Sequence, residues 1–215
     1  MKKPAQSRAV FLDRDGTIAR YRVYCRSPQE FDLLPGAGTA IRSLNRAGFL
    51  VIVMTNQSAI GRGMMTRMTL EAIHQKMHRE LAKFGARVDG VYFCPHHPDD
   101  GCVCRKPQIG MITQAAQEWN LSLKRSYAIG DRHLDVQTGQ AAGAITILVR
   151  SGHPPEPANG VMPAHEADSL EQAAVWILSR EPKLRHRAKA PVKKRRVKPQ
   201  AKRRRAKSPA KRRRR

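Results

Sequence analysis

Five short apolar runs recur along the chain, and most close on a polar residue. They are AVFLD (9–13), LVIVMTN (50–56), VDGVYFC (88–94), SYAIGD (126–131) and AITILVR (144–150). Runs of this length, bounded by turn residues, read as buried strands. Between and after them lie segments with apolar residues at helical spacing: 36–49, 67–85, 109–120, 134–143 and 169–180. In the second of these the apolar positions are 70, 73, 77 and 81, and Gly85 supplies the stop. Strands alternating with helices predict an α/β domain, a Rossmann-like parallel sheet with helices on both faces. Ligands of such sheets gather at the carboxyl ends of the strands. The polar residues that end the strands, Asp13, Thr55 with Asn56, Cys94 and Asp131, are therefore expected along one edge.

Charge divides the chain. The formal net charge is +24, yet 19 Lys or Arg and no acid fall in 183–215, which leaves 22 basic and 17 acidic residues in 1–182. The expectation is a folded domain over 1–181 and a disordered basic tail over 182–215, because Lys, Arg, Ala and Pro bury too little apolar surface to fold. Such a tail attracts nucleic acid or another polyanion without sequence preference, and it has no aromatic residue for base stacking. No apolar stretch approaches 18 residues, so no membrane span is expected. The first residues lack the apolar core of a secretory signal. Four cysteines, three of them clustered, do not make a disulfide framework. A monomer in a reducing cytoplasm is the expectation.

FLDRDGTI sets Asp13 and Asp15 at the end of the first strand. Residues i and i+2 of an extended strand share a face, so for one carboxylate to meet a metal and phosphate while the other sits over the leaving group the chain has to turn between them. Gly16 allows that turn; an Asx-type turn would suit the same residues. MTNQSAIGRG (54–63) adds Thr55, Asn56, Gln57 and Ser58, RKP (105–107) brings Lys106, and AIGDRHLD (128–135) brings Asp131 and Asp135. Asp135 reads either as a cap of the helix that follows or as a carboxylate that touches a metal.

CPHHPDDGCVCRKP (94–107) supplies Cys94, Cys102 and Cys104 with His96 or His97. A Cys₃His set is a structural zinc composition, and thiolates in a reducing compartment favour Zn²⁺ over a disulfide. The metal would staple a loop that has no core of its own. Cys25 reads as an ordinary buried or partly buried thiol.

An acid pair, a threonine, a lysine and a further acid, in that order, resemble the haloacid dehalogenase superfamily of phosphatases over roughly residues 8–150. The resemblance implies that Asp13 is a nucleophile forming an aspartyl-phosphate. It implies Mg²⁺ on Asp13, the Asp15 backbone carbonyl and Asp131. Asp15 is then general acid and base, and Thr55 and Lys106 hold the phosphoryl oxygens. The loop running into CRKP is similar to the D-glycero-D-manno-heptose 1,7-bisphosphate 7-phosphatases and their histidinol-phosphate phosphatase relatives. This narrower resemblance makes His96 the zinc ligand and Arg105 and Lys106 substrate contacts, with Asn56, Gln57, Ser58 and Arg132 beside them. It implies Mg²⁺-dependent removal of the 7-phosphate from a heptose bisphosphate in nucleotide-heptose precursor synthesis. About 20 residues between the first strand and first helix leave no room for a cap domain. TNQSAIGRG is also similar to the phosphatase domain of polynucleotide kinase 3′-phosphatases, which with the tail makes a DNA 3′-end phosphatase the rival. The zinc loop favours the heptose reading.

Overall fold

The computed structural model describes residues 6–157 and 160–181. Six strands form one sheet in the order β3-β2-β1-β4-β5-β6. They are β1 (Ala9–Leu12), β2 (Leu50–Asn56), β3 (Gly90–Cys94), β4 (Tyr127–Gly130), β5 (Ile145–Val149) and β6 (His165–Ala167). Every pairing is parallel. The helices are α1 (Ala37–Arg46), the single turn α2 (Ser58–Gly61), α3 (Arg67–Ala82), α4 (Gly110–Glu118), α5 (His133–Ala141) and α6 (Leu170–Arg180).

The period of two along each strand builds a core on either side of the sheet. Val10, Leu12, Val51, Val53, Tyr127 and Ile129 face one cluster, which takes Ile41 and Leu44 of α1, Leu70, Ile73, Met77 and Leu81 of α3, and Ala173 and Ile177 of α6. Ala9, Phe11, Ile52, Met54 and Ala128 face the other, with Met111, Ile112 and Ala115 of α4. Helices thus cover both faces, as the alternation predicts. The residues at 70, 73, 77 and 81 are all buried. Two helices open on hydroxyl caps: Thr66 accepts from Thr69 N at 3.1 Å and Ser169 from Gln172 N at 3.3 Å.

Two elements are absent from the sequence reading. The strand β6 (HEA) is too short and polar to show a period; its pairing with β5 creates it. The turn α2 lies inside the TNQSAIGRG motif. Between β1 and α1 no cap domain intervenes. The segment folds back on itself through bonds such as Leu34 N to Ile18 O at 3.0 Å, and its Ile18 and Phe31 enter the core. Cys25 is buried, as expected. Among the described residues no helix is long and apolar enough to cross a membrane. The expected basic tail, 182–215, lies outside the described residues.

Candidate active site

Parallel strands put all their carboxyl ends on one edge. Asp13 follows β1, Thr55 and Asn56 end β2, Cys94 ends β3 and Asp131 follows β4. A cavity of about 260 Å³ opens there, lined by Asp13, Asp15, Thr55, Asn56, Ser58, Arg105, Lys106, Arg132 and Asp135 among others. Tyr21, Arg22, Val23, Tyr24 and Arg62 belong to its wall as well.

The turn after β1 depends on Gly16, whose φ is +90°. A side chain there would be strained and would also collide with Asp131, whose Oδ2 lies 1.9 Å from an ideal Cβ. Both Asp13 and Asp15 line the cavity.

Lys106 is the electrostatic centre. Its Nζ donates to Asp13 Oδ1 at 2.7 Å, Asp135 Oδ1 at 2.5 Å and the Met54 carbonyl at 2.9 Å. It is 3% exposed. Burial opposes its charge, but the two carboxylates outweigh burial and hold its pKa well above the ordinary lysine value. Asn56 fixes the lysine backbone: its Oδ1 accepts from Lys106 N at 3.0 Å and its Nδ2 donates to Lys106 O at 3.2 Å.

The acids remain in excess. Burial raises Asp13 to about 6, with Asp135 and Asp15 adding to it and Lys106 opposing. Asp131 is raised to about 8 by burial and by Asp13 and Asp135. Ligand oxygens of Asp13, Asp131 and Asp135 lie within 4.8 Å of one another. The Oδ2 of Asp131 accepts from His153 N at 2.6 Å, whereas its Oδ1 is buried with no hydrogen-bond partner. Crowded carboxylates with an orphaned buried oxygen are what a hard divalent cation satisfies.

Asp135 does more than cap. Its Oδ2 accepts from Arg132 N at 3.2 Å, the helix-capping bond expected, and its Oδ1 takes Lys106. A cap and an acid beside the metal were both open for Asp135 from its place after β4; the fold gives it the cap and a contact with Lys106.

Gln57 departs from its expected place. It does not line the cavity; its Nε2 donates to Thr55 Oγ1 at 2.8 Å and Asp15 Oδ2 at 3.0 Å. Arg132 lines the cavity but is paired with Glu156 through Nε at 2.9 Å and Nη2 at 2.5 Å. Arg105 also lines it, with Nη1 buried and unpartnered. Sequence reasoning missed Arg14, which is wholly buried against Asp15. An arginine between two aspartates gave no sign of turning inward.

The cysteines converge beside this edge. His96 Nδ1 lies 3.1 Å from Cys104 Sγ and 3.6 Å from Cys94 Sγ; Cys102 Sγ lies 3.5 Å from Cys94 Sγ and 3.6 Å from Cys104 Sγ. A tetrahedron of ligands about 2.3 Å from zinc has edges near 3.7 Å, so the set is close to a binding geometry. Residue spacing left His96 and His97 open; the fold separates them. His97 N donates to Asp100 Oδ2 at 2.8 Å, and its ring accepts from Asp99 N at 3.4 Å, capping the turn Pro98–Asp100. Burial pushes the Cys94 thiol up to about 12. For Cys102 burial works the same way, but hydrogen bonds from Cys94 and Arg105 N–H outweigh it and bring it to about 7. Gly61 of α2 packs on the loop so closely that a Cβ would sit 2.5 Å from His97 N.

Fold and site define a hydrolase of the haloacid dehalogenase type, and a family model described as HAD-hydrolase-like matches residues 103–173. The D-glycero-beta-D-manno-heptose-1,7-bisphosphate 7-phosphatase of Bordetella bronchiseptica is 43% identical over 145 residues, 67% of this chain and 81% of its own. That of Yersinia pestis is 39% identical over 193 residues, 86% of this chain and 97% of its own. The B. bronchiseptica D,D-heptose 1,7-bisphosphate phosphatase, crystallised with magnesium and phosphate, superposes with a TM-score of 0.75 at 36% identity, covering 81% of this chain and 99% of that one. The Burkholderia thailandensis phosphatase of the same description gives 0.63 at 36% identity, over 80% of this chain and 99% of that one. The chain belongs to the family of D-glycero-beta-D-manno-heptose-1,7-bisphosphate 7-phosphatases.

Proposed function

We propose that the protein hydrolyses the 7-phosphate of D-glycero-D-manno-heptose 1,7-bisphosphate in nucleotide-heptose precursor synthesis. The observation that carries this reading is Asp13 at a strand end, bonded to the buried Lys106 that the cysteine-clustered loop delivers.

Asp13 attacks phosphorus in line. A bond forms between its carboxylate oxygen and phosphorus while the bond to the sugar oxygen breaks. Asp15 gives a proton to the departing alkoxide. Water then attacks the aspartyl-phosphate, Asp15 takes the water's proton, and Asp13 is freed with release of inorganic phosphate. Lys106 and Thr55 hold the phosphoryl oxygens. Arg105 and Arg132 hold the substrate, with Asn56 and Ser58 on the cavity wall beside them. Asp13, Asp131 and the Asp15 backbone carbonyl would hold Mg²⁺, and the orphaned Asp131 Oδ1 supports that assignment. When bound, the cation offsets repulsion between the anionic nucleophile and an anionic phosphate. Cys94, His96, Cys102 and Cys104 would hold a structural Zn²⁺. Those thiol ligands support placing the enzyme in a reducing cytoplasm. Segment 182–215 is read as a non-specific tether to nucleic acid.

The test compares kcat/KM for heptose 1,7-bisphosphate, histidinol phosphate and a 3′-phosphorylated oligonucleotide. The heptose ester is expected to lead by orders of magnitude; a lead for either rival rejects the substrate.

A further inference from the structure

An acid that must first give and then take a proton has to hold one oxygen steady over the phosphorus. Asp15 is held by a fork. Arg14 Nε donates to Asp15 Oδ1 at 3.1 Å and Arg14 Nη2 to Oδ2 at 2.7 Å. A guanidinium gripping both oxygens fixes the plane of the carboxylate as well as its position. Oδ2 also accepts from Gln57 Nε2 at 3.0 Å. Each carboxylate oxygen has two lone pairs, so Oδ2 is fully engaged while Oδ1 keeps one free, and Asp15 lines the cavity.

Behind the fork stands a second contact. The remaining Arg14 nitrogen, Nη1, faces His74 Nε2 at 3.4 Å. Arginine is always a donor, so His74 Nε2 is the acceptor and the imidazole is neutral. Burial, then Arg14 and His78, push its pKa down to about 3, in keeping with that tautomer. His74 is buried on the inward face of α3, where its neighbours in the stripe are Leu70, Ile73, Met77 and Leu81. A polar ring in an apolar stripe, beside a wholly buried arginine, is costly unless each satisfies the other.

We propose that Arg14 and His74 are positioning residues for Asp15. His74 sets the rotation of the guanidinium, the guanidinium sets the carboxylate, and Oδ1 is left as the oxygen that exchanges the proton. The proposal rests on the reading of Asp15 as acid and base.

The leaving group tests it. Alkoxides need a proton to depart and aryl oxides such as p-nitrophenolate do not, so losing a well-placed acid slows the first far more than the second. The ratio kcat/KM reports steps only up to departure of that group, which keeps the hydrolytic half-reaction out of the comparison. Arg14→Lys keeps the charge and loses the fork; it is expected to lower kcat/KM for sugar and alkyl phosphates about 10²-fold and for p-nitrophenyl phosphate by only a few fold. His74→Leu is expected to show the same asymmetry at about tenfold. His74→Gln, whose amide oxygen can replace Nε2, restores most of the loss. Equal losses on both ester classes, or a His74→Leu enzyme matching the wild type, overturn the proposal. If Arg14→Lys fails to fold, the two His74 variants decide. A wild type preferring another phosphoester sinks the substrate reading alone, since this comparison needs only one alkyl and one aryl ester.

Discussion

The surroundings of Asp13 disfavour its charge: burial and two neighbouring acids act against it, and Lys106 opposes them from 2.7 Å. That tension suits a nucleophile, which must give up charge to phosphorus. Replacing Asp13 by Asn keeps an oxygen for Lys106 but removes the attacking carboxylate. Turnover should fall to background, while the metal-free variant melts no lower than metal-free wild type, because a repelled charge has been deleted. Activity assays and thermal melts check both; near-normal activity would remove Asp13 as the nucleophile. Its partners were only partly legible. The acid pair and the lysine could be picked out by motif order, whereas the inward turn of Arg14 and the second duty of Asp135 depend on which way buried side chains point.

At the scale of the element, the loop from Cys94 to Lys106 is a lever. One end is anchored in β3 by Cys94, and the other carries Arg105 and Lys106 to the cavity directly after Cys104. Within it the His96 and cysteine ligand atoms approach one another at 3.1 to 3.6 Å, as a stapled loop requires. Cys104→Ser is expected to cut bound zinc from about one per chain to a small fraction. It should also lower heptose-phosphate turnover about 10²-fold, the cost of moving a catalytic contact by about 1 Å. Metal analysis of the purified protein beside kinetics decides: full zinc or full activity in the variant would show that the staple is not needed. Cysteine spacing announced the cluster, yet could not choose between adjacent histidines. The choice follows from the turn at Pro98–Asp100, which engages His97 and leaves His96 facing the thiols.

Over the whole molecule, charge is distributed very unevenly, with 19 of 41 basic residues in 183–215. Every residue proposed for the chemistry at the strand edge lies before position 183. Deleting 183–215 should leave sugar-phosphate kinetics unchanged and abolish retention on DNA. Retention by the full chain should weaken with salt at a log–log slope of about −0.9 for each phosphate neutralised. Loss of hydrolysis on deletion would mean that the segment serves the site.

The amino-acid order alone determined the alternation of strands and helices, both core faces, and the set of carboxylates, lysine and thiols. These follow from hydrophobic period and residue chemistry, which are local properties. Tertiary structure alone decided the added strand β6, the capping duty of His97, the engagement of Gln57 with Asp15, and the Arg14–His74 contact. Each of those depends on which groups meet across 15 or more residues of chain or within a tight turn, and no local period records such a meeting.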